Sequence, residues 1–422
     1  MTLRHDIRQV VKQKRLLAYL ASGFFSNVGT WVQRLTMGWL VFEMTASIAW
    51  VGVVAACEVL PAVCLQPVAG VLIDRFSRTR TLAFGNALSF LQAASLAVFY
   101  AAGMLDITLL VASATILGLL EGINQPARLT IISEFSHREG LRVAISLNSL
   151  SFNLARFVGP LLASVFLTRG EAMHAFALNA ASFLPMICLM LRVRLSGNAR
   201  FESPSESVGR AFLSGLRYIR DHPVIFDLLC LAVIVSLCCR SLIELLPAIS
   251  GYWYNNNPVM LSVLTSSVAC GALLGGIWIL TRRDMKAILQ AVVLMCGMSS
   301  LSSMVMSAGG SHLVIASISA FCLGLSASGS AVGMQNLVHY TVPSPYLGRT
   351  MAVYGLVQRG GAVIGAVLLG FAADAVGLPV PVFAAAALAA FATLIFARRI
   401  ATLSHRLDEL QHEHAGEKIR HD

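Results

Sequence analysis

Eight charged side chains standing well inside stretches that are otherwise apolar are the candidates: Arg34, Glu58, Glu121, Arg128, Arg156, Arg240, Glu244 and Arg359. Placing such a charge at the centre of a bilayer costs about 3 kcal/mol, so each should face water or a partner and is a functional candidate by default. A carboxyl among apolar groups has a raised pKa, which an approaching cation or entering water lowers again; that swing can move a proton. Glu121 and Glu58, near the middle of their stretches, are the leading proton-carrying candidates, with Glu244 a third. The five arginines outnumber the three acids, and pairing every acid leaves two positive charges over. That surplus points to an anionic ligand with carboxylate or catechol groups rather than a lipophilic cation. Asn27, Trp31 (or Thr30) and Arg34 fall on one helical stripe, while Glu121, Gln125 and Arg128 stack at i, i+4 and i+7. With Arg156, Arg240 and Arg359, these are the candidate ligand contacts. Structural alternatives stay open. Arg128, Arg156 and Arg359 can pin helix-end carbonyls, Glu58 can simply hydrogen-bond a neighbouring helix, and Arg240 and Glu244, one turn apart, can neutralise each other.

The elements that must hold these groups can be read from composition. Of 422 residues, 57% are hydrophobic and only 12% charged, against about 25% charged in soluble domains, so lipid is the solvent for much of the chain. Apolar stretches run over 16–42, 48–73, 80–102, 107–133, 142–168 and 172–192, then over 224–250, 258–280, 287–308, 312–340, 347–373 and 379–400. The expectation is an all-α membrane protein with twelve transmembrane helices, most of them longer than the ~20 residues that cross a bilayer core and therefore tilted. The net charge of +10 would suggest nucleic acid in a soluble chain. Here its distribution decides otherwise. Seven segments that share one side of the membrane contain 25 of the 31 Lys and Arg, and the opposite side keeps Arg169 alone. That bias marks the cytoplasmic face, so both termini are expected there, with anionic headgroups as neighbours. No small-residue cleavage pattern succeeds the first apolar stretch, so the first helix is expected to be retained. The nine cysteines lie in apolar runs without metal or disulfide spacing and read as reduced small hydrophobes.

Two pseudo-symmetric six-helix bundles are expected at 1–192 and 223–402, with a cytoplasmic linker at 193–222 and a cytoplasmic tail at 403–422. The linker turns amphipathic from Val208 to Arg220: Phe212, Leu213, Leu216 and Ile219 share one face, and Arg210, Arg217 and Arg220 lie elsewhere. It reads as a helix lying on the membrane surface. The halves echo each other, as transporter repeats do. Arg142 opens span five and leads to Gly159 and Pro160; Arg349 opens span eleven and leads to Gly365 and Ala366.

Between spans two and three the chain carries Gly70, Leu72, Asp74, Arg75 and Arg78, which resembles the G-x-L-x-D-R-x-G-R loop motif of the major facilitator superfamily. Ser77 replaces its usual glycine. Within that superfamily the chain is similar to the branch that holds enterobactin exporters and macrolide-efflux proteins. Gly29, Trp31, Gln33, Trp39, Thr45 and Ser47 match its wording in spans one and two; Pro126, Ala127 and Arg128 match it in span four. Asn148, Asn153, Arg156, Gly159 and Pro160 do so in span five, and Tyr354, Gly355, Arg359 and Gly361 in span eleven. The resemblance implies the major facilitator fold, a bacterial cytoplasmic membrane location, and alternating access around a midplane cavity. It implies that Gly70, Asp74, Arg75 and Arg78 form a conformational gate, with Asp74 pairing to Arg78 and Arg349. The Gly159-Pro160 pair stands in the exporters' span-five motif and would pack and bend that helix.

The function expected is proton-coupled export of a small organic solute, a siderophore first. A macrolide or multidrug pump and a lysophospholipid transporter are the alternatives. A membrane-embedded enzyme or sensor is the rival class. Against an enzyme, no HExxH, GxSxG or Cys/His cluster occurs; against a sensor, no loop exceeds about 30 residues. No P-loop is present. The expected partners are the solute, protons and the bilayer, with no cofactor, metal or nucleic acid, and a monomer is the expected state.

Overall fold

The computed structural model describes residues 13–73, 77–135, 141–193, 208–282 and 284–399, and within them the chain is helical throughout. Six long helices come first: α1 (Lys14–Thr45), α2 (Ile48–Ile73), α3 (Arg78–Ala101), α4 (Ile107–Phe135), α5 (Leu141–Thr168) and α6 (Ala172–Arg192). The linker helix α7 (Val208–Asp221) precedes a broken seventh span. That span consists of α8 (Pro223–Val235), a π-helical turn (Ser236–Arg240), α9 (Ser241–Glu244) and α10 (Leu246–Trp253). The chain continues through α11 (Pro258–Leu280), α12 (Met285–Gly309), α13 (Leu313–Thr341), α14 (Ser344–Val376) and α15 (Pro379–Arg398).

Among the described residues, eleven helices are long and apolar enough to cross a membrane. The twelfth expected span is α1, whose 32 residues suffice for the crossing at 1.5 Å per residue. It is more polar because Ser22, Ser26, Asn27, Gln33 and Arg34 lie along it. The packing is that of a protein in lipid. Phe84, Leu91, Phe391 and Leu394 are more than half exposed, while polar side chains sit inside. Helices approach through small residues, as expected where lipid offers no hydrophobic drive to association. Gly118 and Gly122 of α4 lie on the backbone of α2 at Glu58 and Ala62, and Gly275 of α11 lies on Leu325 of α13.

Two compact units result. One comprises Met1–Ala46, Cys57–Pro204 and Asn256–Ser262; the other comprises Ser47–Ala56, Ser205–Asn255 and Val263–Asp422. In the first, Leu16, Tyr19, Leu82, Ile131, Ile132 and Met186 form a fully buried core. A buried amide network also ties four of its helices. Asn179 donates to Gln33 (2.7 Å), Gln33 donates to Gln92 (3.1 Å), and Gln92 donates to Ser113 Oγ (2.5 Å). Such a network holds its helices only because each partner is satisfied.

The linker helix departs from the sequence expectation in its faces. Gly215 and Ile219 are buried, but Leu213 and Leu216 are exposed together with Arg217 and Arg220. The buried side uses a glycine because the helix lies directly on α14, where a Cβ at Gly215 would come within 3.0 Å of Arg349 Cβ.

Candidate functional site

In the first unit the candidate residues of α1, α2, α4 and α5 form one polar cluster. Arg34 and Glu58 pair at 3.4 Å, with side chains mostly shielded. Arg128 lies 3.5 Å from Glu121 on its own helix, and also donates to Asn27 Oδ1 and Ser26 Oγ of α1, both at 3.3 Å. The Arg128 carbonyl accepts from Tyr19 at 2.9 Å, so backbone and side chain both join α4 to α1. Gln125 accepts a hydrogen bond from Gln66 of α2. Trp31 stands between two guanidinium groups, Arg34 and Arg156, whose centres lie 5.2 and 5.3 Å from its ring. Cations over an indole face are attracted by the ring quadrupole, so Trp31 draws Arg34 and Arg156 toward one ring.

The Glu121–Arg128 pair is incomplete as a hydrogen-bonding unit. Glu121 Oε1 and Arg128 Nε are both shut off from solvent and lack a hydrogen-bond partner. The helix spacing explains this. Seven residues bring the two side chains onto one face nearly two turns apart, within reach of attraction but not of a bidentate fork.

Pro126 sits inside α4 between them. Gly159 is a packing glycine, since a Cβ there would lie 2.5 Å from Trp31 Cβ; it seats α5 against α1 beneath the tryptophan. The Pro160 carbonyl accepts from Ser262 at 2.8 Å.

In the second unit the π-helical turn carries Arg240 at its end. A π turn inserts a residue and re-aims the helix beyond it, and such turns recur at functional sites. Arg240 donates to the Ala327 carbonyl of α13 at 3.0 Å, so the helix-carbonyl pin expected of other arginines is realised at this one. Its Nε is buried without a partner, as is Gln358 Oε1 of α14. Tyr354 donates to the Ala331 carbonyl (2.7 Å) and accepts from Gln358 (2.9 Å). Ser236 of the π turn donates to the Gln358 carbonyl at 3.0 Å. Glu244 is half-buried and Arg359 is exposed on α14.

Asp74 and Arg75 of the gate motif lie outside the described residues. Gly70 falls within α2 and Arg78 opens α3, half-buried. Arg349, an expected partner of Asp74, donates to Ser214 Oγ of the linker helix at 2.7 Å. Among the described residues no group of His, Cys, Asp and Glu is placed to hold a metal. Sequence reasoning missed the π turn, Tyr354 and Gln358 as neighbours of Arg240, and the Gln33–Gln92–Asn179 network. Polar amides inside apolar stretches were the available signal for the network.

Comparison with known proteins agrees with this architecture. The pattern of a family described as transmembrane secretion effector matches residues 12–418. The multidrug efflux pump Tap of Mycolicibacterium fortuitum is 25% identical over 380 residues, covering 87% of this chain and 91% of that protein. Macrolide efflux protein A of Streptococcus pyogenes is 25% identical over 80% of this chain and 84% of that protein. The staphyloferrin A transporter of Staphylococcus aureus is 26% identical over 42% of this chain, and the match spans only 46% of that relative's length. A crystal structure of the peptide transporter POT superposes with a TM-score of 0.74 at 13% identity, covering 93% of this chain and 95% of that one; this likeness shows the fold alone. Matched along nearly its whole length, the chain belongs to the transmembrane secretion effector family of the major facilitator superfamily, and it is a multi-pass membrane transporter, not an enzyme.

Proposed function

We propose that this protein is a proton-coupled exporter of a small organic anion, a catechol- or carboxylate-bearing siderophore first, working by alternating access. It acts as a monomer in the bacterial cytoplasmic membrane with both termini cytoplasmic. The observation that carries the reading is the Glu121–Arg128 pair, attracted at 3.5 Å yet leaving a buried acceptor and a buried donor unsatisfied. Unsatisfied buried groups cost free energy that a proton or a solute's polar atom recovers. Within the cluster, Arg34, Arg128 and Arg156 stand against Glu58 and Glu121, a formal surplus of one positive charge that suits an anion.

The direction of coupling constrains the solute's chemistry. A solute that only displaced Glu121 from Arg128 with an anionic group would leave a carboxylate that takes up a proton. Solute and proton would then travel together. A solute that instead offers a hydroxyl to the Glu121 carboxylate binds less tightly once that carboxyl is protonated, because a neutral acid is the weaker acceptor. Competition between solute and proton is what exchange requires, and a catechol hydroxyl provides it while its anionic portion meets the arginines of the cluster.

The test is efflux of a labelled catecholate siderophore from proteoliposomes under an imposed pH gradient. Wild type should respond to the gradient, and Glu121→Gln should lose at least about tenfold of the driven rate, the scale of one lost charge-assisted contact, while inserting normally. Wild-type rates in that variant would remove Glu121 from the mechanism. A second reading, multidrug or macrolide efflux, is favoured by the extent of the alignments: the drug-efflux relatives match 87% and 80% of the chain, the staphyloferrin relative 42%. Robust efflux of cationic dyes with no siderophore transport would select it.

A further inference from the structure

The helix α7 offers two opposed faces, and only one is accounted for by packing. Its inner face is fastened to the first turns of α14. Arg349 donates to Ser214 Oγ at 2.7 Å, and Gly215 lies against the Arg349 backbone. Tyr218 stacks on Tyr346 with ring centres 4.5 Å apart and planes 13° from parallel. His222 stacks on Tyr218 at 3.9 Å, its Nδ1 2.7 Å from the Tyr218 carbonyl. Aromatic stacking and a charged hydrogen bond together make α7 and the start of α14 a single mechanical piece.

The outer face carries Leu213, Leu216, Arg217 and Arg220, at i, i+3, i+4 and i+7, so they form one stripe. Leu213 is 64% and Leu216 40% exposed, and the Arg220 side chain is 76% exposed. Asp221, 3.6 Å from Arg220, is the acidic neighbour at the stripe's end. The level of the stripe is set by its surroundings. Pro223 begins the seventh span two residues after α7 ends, and Tyr346 and Arg349 stand in the first two turns of α14. A helix held at the mouths of two membrane spans lies where phosphates and the acyl boundary meet. Two leucines followed by two arginines on one stripe match that boundary: the apolar chains enter it while guanidinium groups reach back to phosphate. A protein partner is the poorer fit, because two exposed leucines beside flexible arginines make no buried anchor of the kind interfaces are built on.

We propose that the Leu213–Leu216–Arg217–Arg220 stripe is a contact for anionic lipid, and that through Ser214, Tyr218 and their partners Arg349 and Tyr346 it conveys the surface charge of the leaflet to α14. Each basic side chain near an anionic surface favours binding roughly fivefold, so the pair should give about 25-fold, reduced by salt. The idea depends on membrane insertion and not on which solute is carried.

The experiment uses the full-length protein in nanodiscs of phosphatidylcholine alone, or with phosphatidylglycerol as about a third of the lipid. Hydrogen exchange is monitored over 208–222. Wild type should exchange at least several-fold more slowly in the anionic discs, with the difference shrinking at high salt. The double variant R217Q/R220Q should exchange alike in both discs, and L213S/L216S should weaken protection in both. Equal exchange of wild type in the two lipids, or a lipid-dependent difference surviving in R217Q/R220Q, would overturn the proposal. A second readout tests transmission: α14 amides near Tyr346 and Arg349 should show the same lipid dependence. Indifference there, with α7 responding, would leave a lipid contact but reject its coupling to α14. Neither readout requires transport, so failure of the siderophore assignment leaves this result interpretable.

Discussion

Arg34 and Glu58 reach each other from different helices at 3.4 Å, whereas Glu121 and Arg128 share α4. Removing one partner of a shielded pair strands the other charge, which costs more than the pair contributes. An exchange of charges should therefore be milder than either single change. The double swap R34E/E58R is expected to retain more membrane-inserted protein than R34E alone, measured by detergent-extracted monodisperse yield. Equal loss in both would show that position rather than pairing matters. Tyr218 supplies a second residue-scale test. Burial, and then Tyr346 beside it, push its hydroxyl up from 10.0 to about 12. The folded form thus holds its proton more tightly than the unfolded one. The Tyr218 contribution to docking of α7 should be complete below pH 10 and be lost as pH rises from 10 toward 12. Tyrosinate absorbance of wild type minus Tyr218→Phe should show one group titrating at the upper end of that window.

At the scale of elements, helix ends and interruptions explain most of the arrangement. The start of α2 lacks its own acidic cap. Asp374, near the end of α14 in the same unit, supplies it: the carboxylate accepts from Ser47 Oγ at 2.5 Å, from the Ile48 amide at 2.8 Å and from the Ala49 amide at 3.2 Å. Gly52 and Gly370 let the two backbones come this close, since a Cβ on either would meet the opposite main chain below 3.0 Å. Asp374→Ala should cost about 1–2 kcal/mol locally, the usual value of an N-cap. Exchange of the Ile48 and Ala49 amides should accelerate roughly 5- to 30-fold; unchanged protection would show that packing alone holds the helix start. In span seven the π turn, which ends at Arg240, interrupts the regular register. No periodicity of apolar residues announces such a turn, because a single extra residue in an all-apolar helix leaves the hydrophobic pattern intact.

For the molecule as a whole, the Lys and Arg distribution predicts that reporters fused at either terminus score cytoplasmic, and that a reporter near Arg169 scores on the opposite side. A terminus found outside would invert the topology on which the lipid contact and the direction of transport both depend. Sequence alone located the long helices and set the limits of several of them, though not the break in span seven. The stretches expected at 48–73, 172–192 and 258–280 coincide with α2, α6 and α11 to the residue, because a bilayer sorts apolar from polar segments over lengths that a chain pattern records directly. It also singled out the charged residues, since each is an anomaly in lipid. Only tertiary structure decided which of them meet. Arg128 finds Asn27 and Ser26, about a hundred positions away, Arg240 takes the Ala327 carbonyl, and Leu213 and Leu216 face outward where an amphipathic reading grouped them with Ile219. Those outcomes depend on how closely small residues let particular helices approach. In a chain apolar on every side, helix rotation leaves no trace in hydrophobicity and is set by packing.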